Sequence, residues 1–298
     1  MWRIIYIEKS DYLSLYLDNL KVRNGLDETT IPLSDINSIV IDNYATTITT
    51  SLITKCMEYK VNIICCDTYH LPAGIIIPYS GNYQSSSQLF KQVKWEDEIL
   101  KFVWQQITKA KITNQARTLM LTDKHQEVIN HLLKFIDEVE LGDKTNREGL
   151  SAKMYFRELF GDHFTRHEDD TINASLNYGY SILRSMIARA LVARGLNPHL
   201  GIFHRGPGND FNLADDFIEV FRPIIDLWVH DNINLNDIFD REKRLSLINL
   251  MTKKISYNDK KVTIINAINI LIDNFLSFIE TGEVDKLIFP DVKTYDSI

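Results

Sequence analysis

The feature that most limits the fold of this 298-residue chain is a change of pattern near residue 80. Before it, apolar residues form short strand-like runs such as WRIIYIE, INSIVIDN, VNIICCD and AGIIIP. After it, they recur every three or four positions over long stretches, which is the spacing of helices. The stretch between them, PYSGNYQSSSQ, is typical of a linker. The pattern therefore predicts an α+β chain, with a small β-rich N-terminal domain over 1–82, a linker over 83–88 and a larger all-helical domain over 89–298.

The same patterns predict where individual strands and helices lie. YLSLYLDNLKVRN is expected to form two strands joined by a turn at Asp18-Asn19, and one short helix is expected in the first domain, over residues 47–60. The helices expected in the second domain span residues 89–115, 123–141, 147–160, 171–194, 212–229, 235–253 and 261–279.

Composition excludes several classes of protein. The start of the chain has no signal-peptide pattern and no apolar run reaches the length that a membrane span requires, so a cytoplasmic protein is expected. Three cysteines, two of them adjacent, fit neither a disulfide framework nor a zinc site. The net charge of −7 does not predict general attraction to nucleic acid. Residues 171–209 nevertheless contain four arginines and no Asp or Glu, so a local basic patch and an ordinary basic helix face both remain open.

The stretch GIFHRGPGNDFNLADDFIEVFRP, residues 201–223, concentrates chemically active residues. His204 falls in a connection before a Gly-Pro-Gly break, and Asn212 is placed to cap the next helix. Asp216 and Glu219, three apart, fall together on the border of its apolar face, where they can share one ion. Burying Glu219 without a partner is costly, so a partner is expected.

Each of these residues also has a structural interpretation. A single loop histidine is often only a hydrogen-bonding group. Asp215 and Asp216 suit the positive end of a helix, and Glu148, which opens the segment NREGLSAKMYFRELFG, does so too. Spacing alone does not connect Glu148 with the later segment.

Four segments together carry a family resemblance: AKITNQARTL at 110–119, NREGLSAKMYF at 146–156, LNYGYSILRSMIARALVARGLNP at 176–198 and the stretch at 201–223. With a β-rich domain followed by a helical one, the chain resembles the metal-dependent integrase of CRISPR spacer acquisition, type II branch. The resemblance covers essentially the whole chain.

Carried over by position, the resemblance implies that Glu148, His204 and Glu219 are both the catalytic residues and the metal ligands. Many relatives have aspartate at the last position, so Glu219 differs from them in length. Asp216 matches another acid of the family and is expected to be auxiliary. Two carboxylates and an imidazole favour Mg²⁺ or Mn²⁺ over zinc.

The implied reaction is transesterification, in which a DNA 3′-hydroxyl of a captured fragment attacks the CRISPR array, with hydrolysis of branched DNA as the related reaction of water. Arg205 and Arg184 are expected to contact phosphates. Tyr178 and Asn177 are candidates for the DNA groove, and a core or hydrogen-bonding role stays open for both.

The implied partners are double-stranded DNA, as protospacer fragments and CRISPR repeat, and a second copy bound through the N-terminal domain. A small ferredoxin-like adaptation protein would bridge two such dimers into a heterohexamer. The type II effector nuclease and a DNA-end-binding protein are further possible partners; no membrane is implied. Two other functions stay open, a metal-dependent nuclease that cuts branched DNA in repair and a non-enzymatic DNA-binding scaffold.

Overall fold

The computed structural model describes residues 3–9, 11–79 and 85–294. The chain separates into two compact units. One comprises Met1–Phe90 with Ser185–Asn197, and the other comprises Lys91–Arg184 with Pro198–Ile298. A division by linear composition cannot show that a later segment, Ser185–Asn197, belongs with the N-terminal unit.

The N-terminal unit contains two four-stranded sheets and one short helix. Its elements are β1 Arg3–Ile7, β2 Tyr12–Tyr16, β3 Asn19–Asn24, β4 Asp27–Pro32, β5 Ile36–Ile41, β6 Thr47–Ile48, α1 Thr50–Glu58, β7 Asn62–Cys66 and β8 Pro72–Ile76. One sheet has the order β1-β5-β7-β8, with the first three strands parallel and β8 antiparallel to β7. The other has the order β4-β3-β2-β6. Apolar side chains from both sheets and from α1, including Leu13, Leu20, Ile39 and Leu52, form one core.

The turn between β2 and β3 lies one residue earlier than expected. Leu17 and Asp18 are its two central residues, and both have positive φ angles, of 45° and 58°. Two-residue turns of this hand match the twist of paired strands, so Tyr16 pairs directly with Asn19.

The second unit is mostly helical. Its helices are α3 Asp97–Leu121, α4 Gln126–Glu138, α5 Arg147–Phe160, α6 Thr171–Ala193, α7 Asn212–Ile218, α8 Arg222–Asn232, α9 Arg241–Leu250 and α10 Ile264–Thr281; α2, Ser85–Val93, precedes α3, and the end of α6 belongs to the other unit. The predicted fold class is therefore confirmed. The last four residues of the expected linker, 85–88, are helical instead, whereas residues 83 and 84 lie outside the described part of the chain.

The helix expected over 212–229 is in fact two helices. Pro223 has no amide hydrogen for the carbonyl of Glu219, and its ring would clash with that carbonyl in a continuous helix. The chain therefore ends α7 at Ile218 and starts α8 at Arg222. This break places Glu219 at a helix end.

The second unit is not all-helical, which corrects the sequence-based description. Three strands, β9 Lys254–Tyr257, β10 Lys260–Thr263 and β11 Asp291–Thr294, form a sheet in the order β10-β9-β11. The turn residues Asn258 and Asp259 have positive φ angles of 50° and 58°. An Asn-Asp pair between two alternating runs is a hairpin signal, and the helical patterns on both sides conceal it.

Helix α10 also corrects a statement about membrane spans. By length and composition alone it is apolar enough to cross a membrane, and among the described residues it is the single helix of that kind. Its buried side chains, which include Ile268, Leu271, Ile272 and Phe275, instead make it a core helix of the second unit.

Candidate active site

His204 is held by a buried carboxylate on the next helix. Asp216, at 0% exposure, accepts hydrogen bonds from the backbone amides of Ile202, Phe203 and His204, the last at 3.0 Å. Its Oδ1 also lies 2.8 Å from Nδ1 of His204. The hydrogen bond with Asp216 is the main reason why the pKa of His204 is raised, although burial opposes the shift. Because Nδ1 faces Asp216, Nε2 is the nitrogen left to act as a ligand.

The loop before α7 depends on Gly201 and Asn212. A Cβ atom on Gly201 would lie 2.1 Å from the carbonyl oxygen of His204 and 2.9 Å from Oδ2 of Asp216, so the chain can approach itself this closely only at glycine. The Asn212 amide donates to the carbonyls of His199 and Gly206, at 3.0 and 3.1 Å. Asn212 was expected to cap α7; it ties the loop together instead.

The expectation that Asp216 and Glu219 share one ion is not met. Both oxygens of Asp216 accept hydrogen bonds from the 202–204 loop. Asp216 therefore orients His204, while Glu219 faces a different set of side chains.

Glu148 lies in the first turn of α5, and the residues before it fix that start. Asp143 accepts hydrogen bonds from the backbone amides of Arg147 and Glu148, at 2.8 and 3.0 Å, and Asn146 caps Gly149. A Cβ atom on Gly149 would lie 2.8 Å from Oδ1 of Asn146, so a larger residue at 149 would displace the capping side chain.

Lys111 of α3 brings Glu148 and Glu219 together. Its ammonium donates to Oε1 of Glu148 and to Oε2 of Glu219, and the lysine is only 5% exposed. Burial lowers the pKa of Lys111, but the two carboxylates outweigh it and the pKa is raised overall. Two acids 71 positions apart in sequence thus converge on one cationic atom.

Arg222 holds the other oxygen of Glu219. Its Nε donates to Oε1 at 2.8 Å, and its guanidinium stacks on the ring of Tyr180 at 4.3 Å. Burial raises the pKa of Glu219, yet Arg222 and Lys111 together lower it to about 2. The sequence-based expectation that a buried Glu219 needs a partner is met, and the partners are two protein cations.

Behind Arg222 lies a second buried acid. Asp226 accepts hydrogen bonds from Tyr155, at 3.0 Å, and from Tyr180. Burial raises its pKa to about 6, against the effect of these donors and of Arg166 and Arg222.

Lys111, Arg222 and Asp226 were not identified from the sequence. A signal for Lys111 exists within α3, because positions 104, 108, 111 and 115 share one face of that helix. Polar side chains at three of those four positions of a buried helix point to a polar site. Recognising the arginine and the aspartate needs the tertiary structure.

The donor set suits a hard divalent cation. Two carboxylates already converge on a positive charge, and an imidazole with its second nitrogen fixed by a carboxylate is a common metal ligand. Within residues 3–9, 11–79 and 85–294, however, no group of three His, Cys, Asp or Glu side chains is arranged closely enough to hold a metal ion. The side chains fit such an ion by type, and Lys111 now occupies the position between two of them.

The four residues expected to contact DNA are placed differently from one another. Arg205 is 57% exposed and bonds to Asp97 at 3.1 Å, between two cavities of about 540 and 340 Å³. Arg184 lies 3.9 Å from Asp215 and stacks on Phe211. Asn177 is exposed and accepts a hydrogen bond from Arg166 at 2.7 Å.

The position of Tyr178 corrects its assignment as a candidate for the DNA groove. Its side chain is 0% exposed and packs edge-on against Phe239, with the ring centroids 5.4 Å apart. A fully buried ring cannot stack on DNA, so Tyr178 belongs to the core.

Comparison with known proteins identifies the family. The family model described as "CRISPR associated protein Cas1" matches residues 5–256. This chain belongs to the Cas1 family. A CRISPR-associated endonuclease Cas1 from Neisseria meningitidis serogroup C is 34% identical over 294 residues, covering 98% of this chain and 96% of the relative. This membership confirms the resemblance to the family seen in the sequence and the prediction of an enzyme of the CRISPR-associated endonuclease class.

Solved structures agree on the Cas1 fold. A casposase bound to its integration product matches with a TM-score of 0.77 at 19% identity, covering 99% of this chain and 94% of the casposase. A Cas6-RT-Cas1–Cas2 complex matches with the same TM-score and identity, covering 99% of this chain and 36% of that one.

Proposed function

We propose that this Cas1 protein joins 3′-hydroxyl ends of captured DNA to a CRISPR array, with a divalent cation held by Glu148, His204 and Glu219. The observation that carries the proposal is the convergence of Glu148 and Glu219 on one cationic atom. Two carboxylates from distant segments rarely meet in a protein interior unless a cation lies between them.

The side chains around the site have separate tasks. Asp216 fixes the ring of His204 with Nδ1 inward, and Arg222 fixes Glu219 through its other oxygen. Glu148 has the more open carboxylate, 27% exposed against 7% for Glu219, so an incoming strand would reach the site from its side.

Glu148, His204 and Glu219 would hold Mg²⁺ or Mn²⁺, which would supply Lewis-acid chemistry at a phosphate oxygen when bound. Arg205 lies one residue from His204 and flanks two cavities, where its exposed guanidinium can hold a phosphate of the substrate. Arg184 and Asn177 are secondary DNA contacts in this proposal. Positioning the DNA 3′-hydroxyl makes its attack on an array phosphodiester a local reaction, in which a new P–O bond forms, the P–O3′ bond of the array strand breaks, and that strand leaves with a free 3′-hydroxyl.

Two structural neighbours support the proposed partners. The casposase was solved with its integration product, and another structural neighbour is a complex with Cas2. We therefore propose double-stranded DNA as substrate and a small Cas2-type adaptation partner, with this protein dimerising through its N-terminal unit and two dimers assembling into a heterohexamer. Association with a type II effector nuclease and a DNA-end-binding protein, and a cytoplasmic location, complete the proposal.

The test is strand transfer on labelled branched DNA with Mn²⁺ or Mg²⁺. The wild type is compared with Glu148→Gln and His204→Ala, and with Glu280→Gln as a control for the loss of an exposed carboxylate. The wild type and the control should move label into a longer joined product. The rate of this strand transfer should be at least 100-fold lower in the two site variants.

Other outcomes select other functions. If the wild type only shortens the substrate, the protein is a branched-DNA nuclease. If all four proteins bind DNA and none changes it, the protein is a non-enzymatic scaffold.

A further inference from the structure

The protein charges around Glu148 and Glu219 already balance without a metal ion. Lys111 and Arg222 provide two positive charges, and Glu148 and Glu219 provide two negative charges. The buried cluster is neutral as it stands. Adding a divalent cation would leave two uncompensated positive charges where desolvation is costly. A metal ion bound by the two carboxylates would also repel a protein cation that contacts the same oxygens, so that cation has to move away from them when a metal ion arrives.

The structure indicates which cation leaves. Arg222 stacks on Tyr180 and bonds to Oε1 of Glu219, so it can stay while Oε2 is exchanged. Lys111 contacts the oxygens that point at the shared position, Oε1 of Glu148 and Oε2 of Glu219. A lysine ammonium on four flexible methylenes can also move without shifting its helix.

Two buried acceptors lie on the same face of α3 as Lys111. Thr108 and Gln115 are three residues before and four residues after Lys111, on the same face of α3, and are 0% and 1% exposed. Throughout the described part of the chain, Oγ1 of Thr108 and Oε1 of Gln115 find no hydrogen-bond partner. Unsatisfied buried acceptors are uncommon, and an ammonium has three hydrogens to donate.

We propose that the ammonium of Lys111 is an internal counterion that stabilises the carboxylate pair without metal, and that metal loading exchanges it for the divalent cation. On exchange, Nζ moves along the face of α3 to Thr108 or to Gln115. This inference rests on the proposed function, since it requires that Glu148 and Glu219 bind the metal ion.

The experiment measures Mn²⁺ binding directly, by the EPR signal of free Mn²⁺ at pH 8 with the full-length protein. Lys111→Met removes the competing charge at similar length and should tighten binding at least tenfold. Lys101→Met, which removes another lysine of α3 that pairs with Asp97 and Glu98, should change it less than twofold. Thermal unfolding should show that Lys111→Met is less stable without metal and gains more in Tm from Mn²⁺ than the wild type.

Two further variants keep the proposal testable if Lys111→Met does not fold. Lys111→Arg keeps the charge in a fork suited to carboxylates and should weaken Mn²⁺ binding at least fivefold. Thr108→Val removes one receiving acceptor at nearly constant volume, so it should weaken binding about threefold when Lys111 is present and leave it unchanged in the Lys111→Met background.

Glu148→Gln separates the two possible failures. If Mn²⁺ binding depends on Glu148 but is not tightened by Lys111→Met, or is not weakened by Lys111→Arg, the exchange is disproved and the proposed metal site stands. If Glu148→Gln leaves Mn²⁺ binding unchanged, the metal site itself is wrong and the exchange fails with it.

Discussion

The Nδ1 atom of His204 lies 2.8 Å from Oδ1 of Asp216, and this contact joins a loop to the helix that follows it. The same carboxylate receives three backbone amides of that loop. Asp216 therefore fixes both where His204 is and which nitrogen it presents.

Asp216→Asn tests this relationship. An amide group can supply only one acceptor oxygen, so the loop amides and His204 would compete for it. We expect strand-transfer activity to fall 10- to 100-fold. The pKa of His204, followed by NMR, should move back toward its ordinary value, because the carboxylate that raises it is gone. Activity within twofold of the wild type would show that the contact is only structural.

Gly201→Ala tests the close approach within the loop. The added methyl group would lie 2.1 Å from the His204 carbonyl, so the loop has to move. We expect a loss of about 1–3 kcal/mol in the free energy of unfolding, measured by denaturant titration, together with a loss of activity. Gly208→Ala, in the same loop, is the matched control, because its Cβ would meet nothing within 4 Å. Equal effects of both substitutions would contradict the steric argument.

Asp226 should make stability depend on pH. Its pKa is about 6 in the folded protein against an ordinary value of 3.8, so folding disfavours the ionised form. The stability that protonated Asp226 contributes is present below about pH 4 and is lost as the pH rises through 6. By pH 8 the free energy of unfolding is about 3 kcal/mol lower than at low pH because of this group.

Asp226→Asn removes that dependence. The free energy of unfolding of the variant, relative to the wild type, should rise by about 2 kcal/mol between pH 4 and pH 8. The groups facing Asp226 are Tyr155 and Tyr180, with Arg166 and Arg222 nearby, and they are unchanged in the variant. A constant difference between the two proteins over this pH range would mean that Asp226 is not protonated in the folded state.

Arg205→Ala should weaken DNA binding in a salt-dependent manner. If Arg205 holds one phosphate, its loss lowers affinity equally for different sequences and reduces the slope of log affinity against log salt by about 1. Binding measured by fluorescence anisotropy at several salt concentrations checks both. An unchanged slope would place Arg205 outside the DNA interface.

The sequence by itself determined most of the secondary structure. Helix α5 begins and ends where its apolar spacing predicts, and the alternating runs of the first 80 residues form strands. Periodicity succeeds there because each element buries one face. It failed at α7 and α8, where Pro223 ends a continuous pattern, and at the hairpin of β9 and β10, whose turn lies between two helical patterns.

The family motifs in the sequence also singled out Glu148, His204 and Glu219, and the charge of Glu219 predicted a partner. Only the tertiary structure decided that this partner is Lys111 with Arg222, and that Asp216 serves the His204 loop instead of sharing an ion. The reason is physical: spacing records which residues share one helix face, whereas desolvation of a buried charge is balanced by whichever side chains the fold brings within hydrogen-bonding distance.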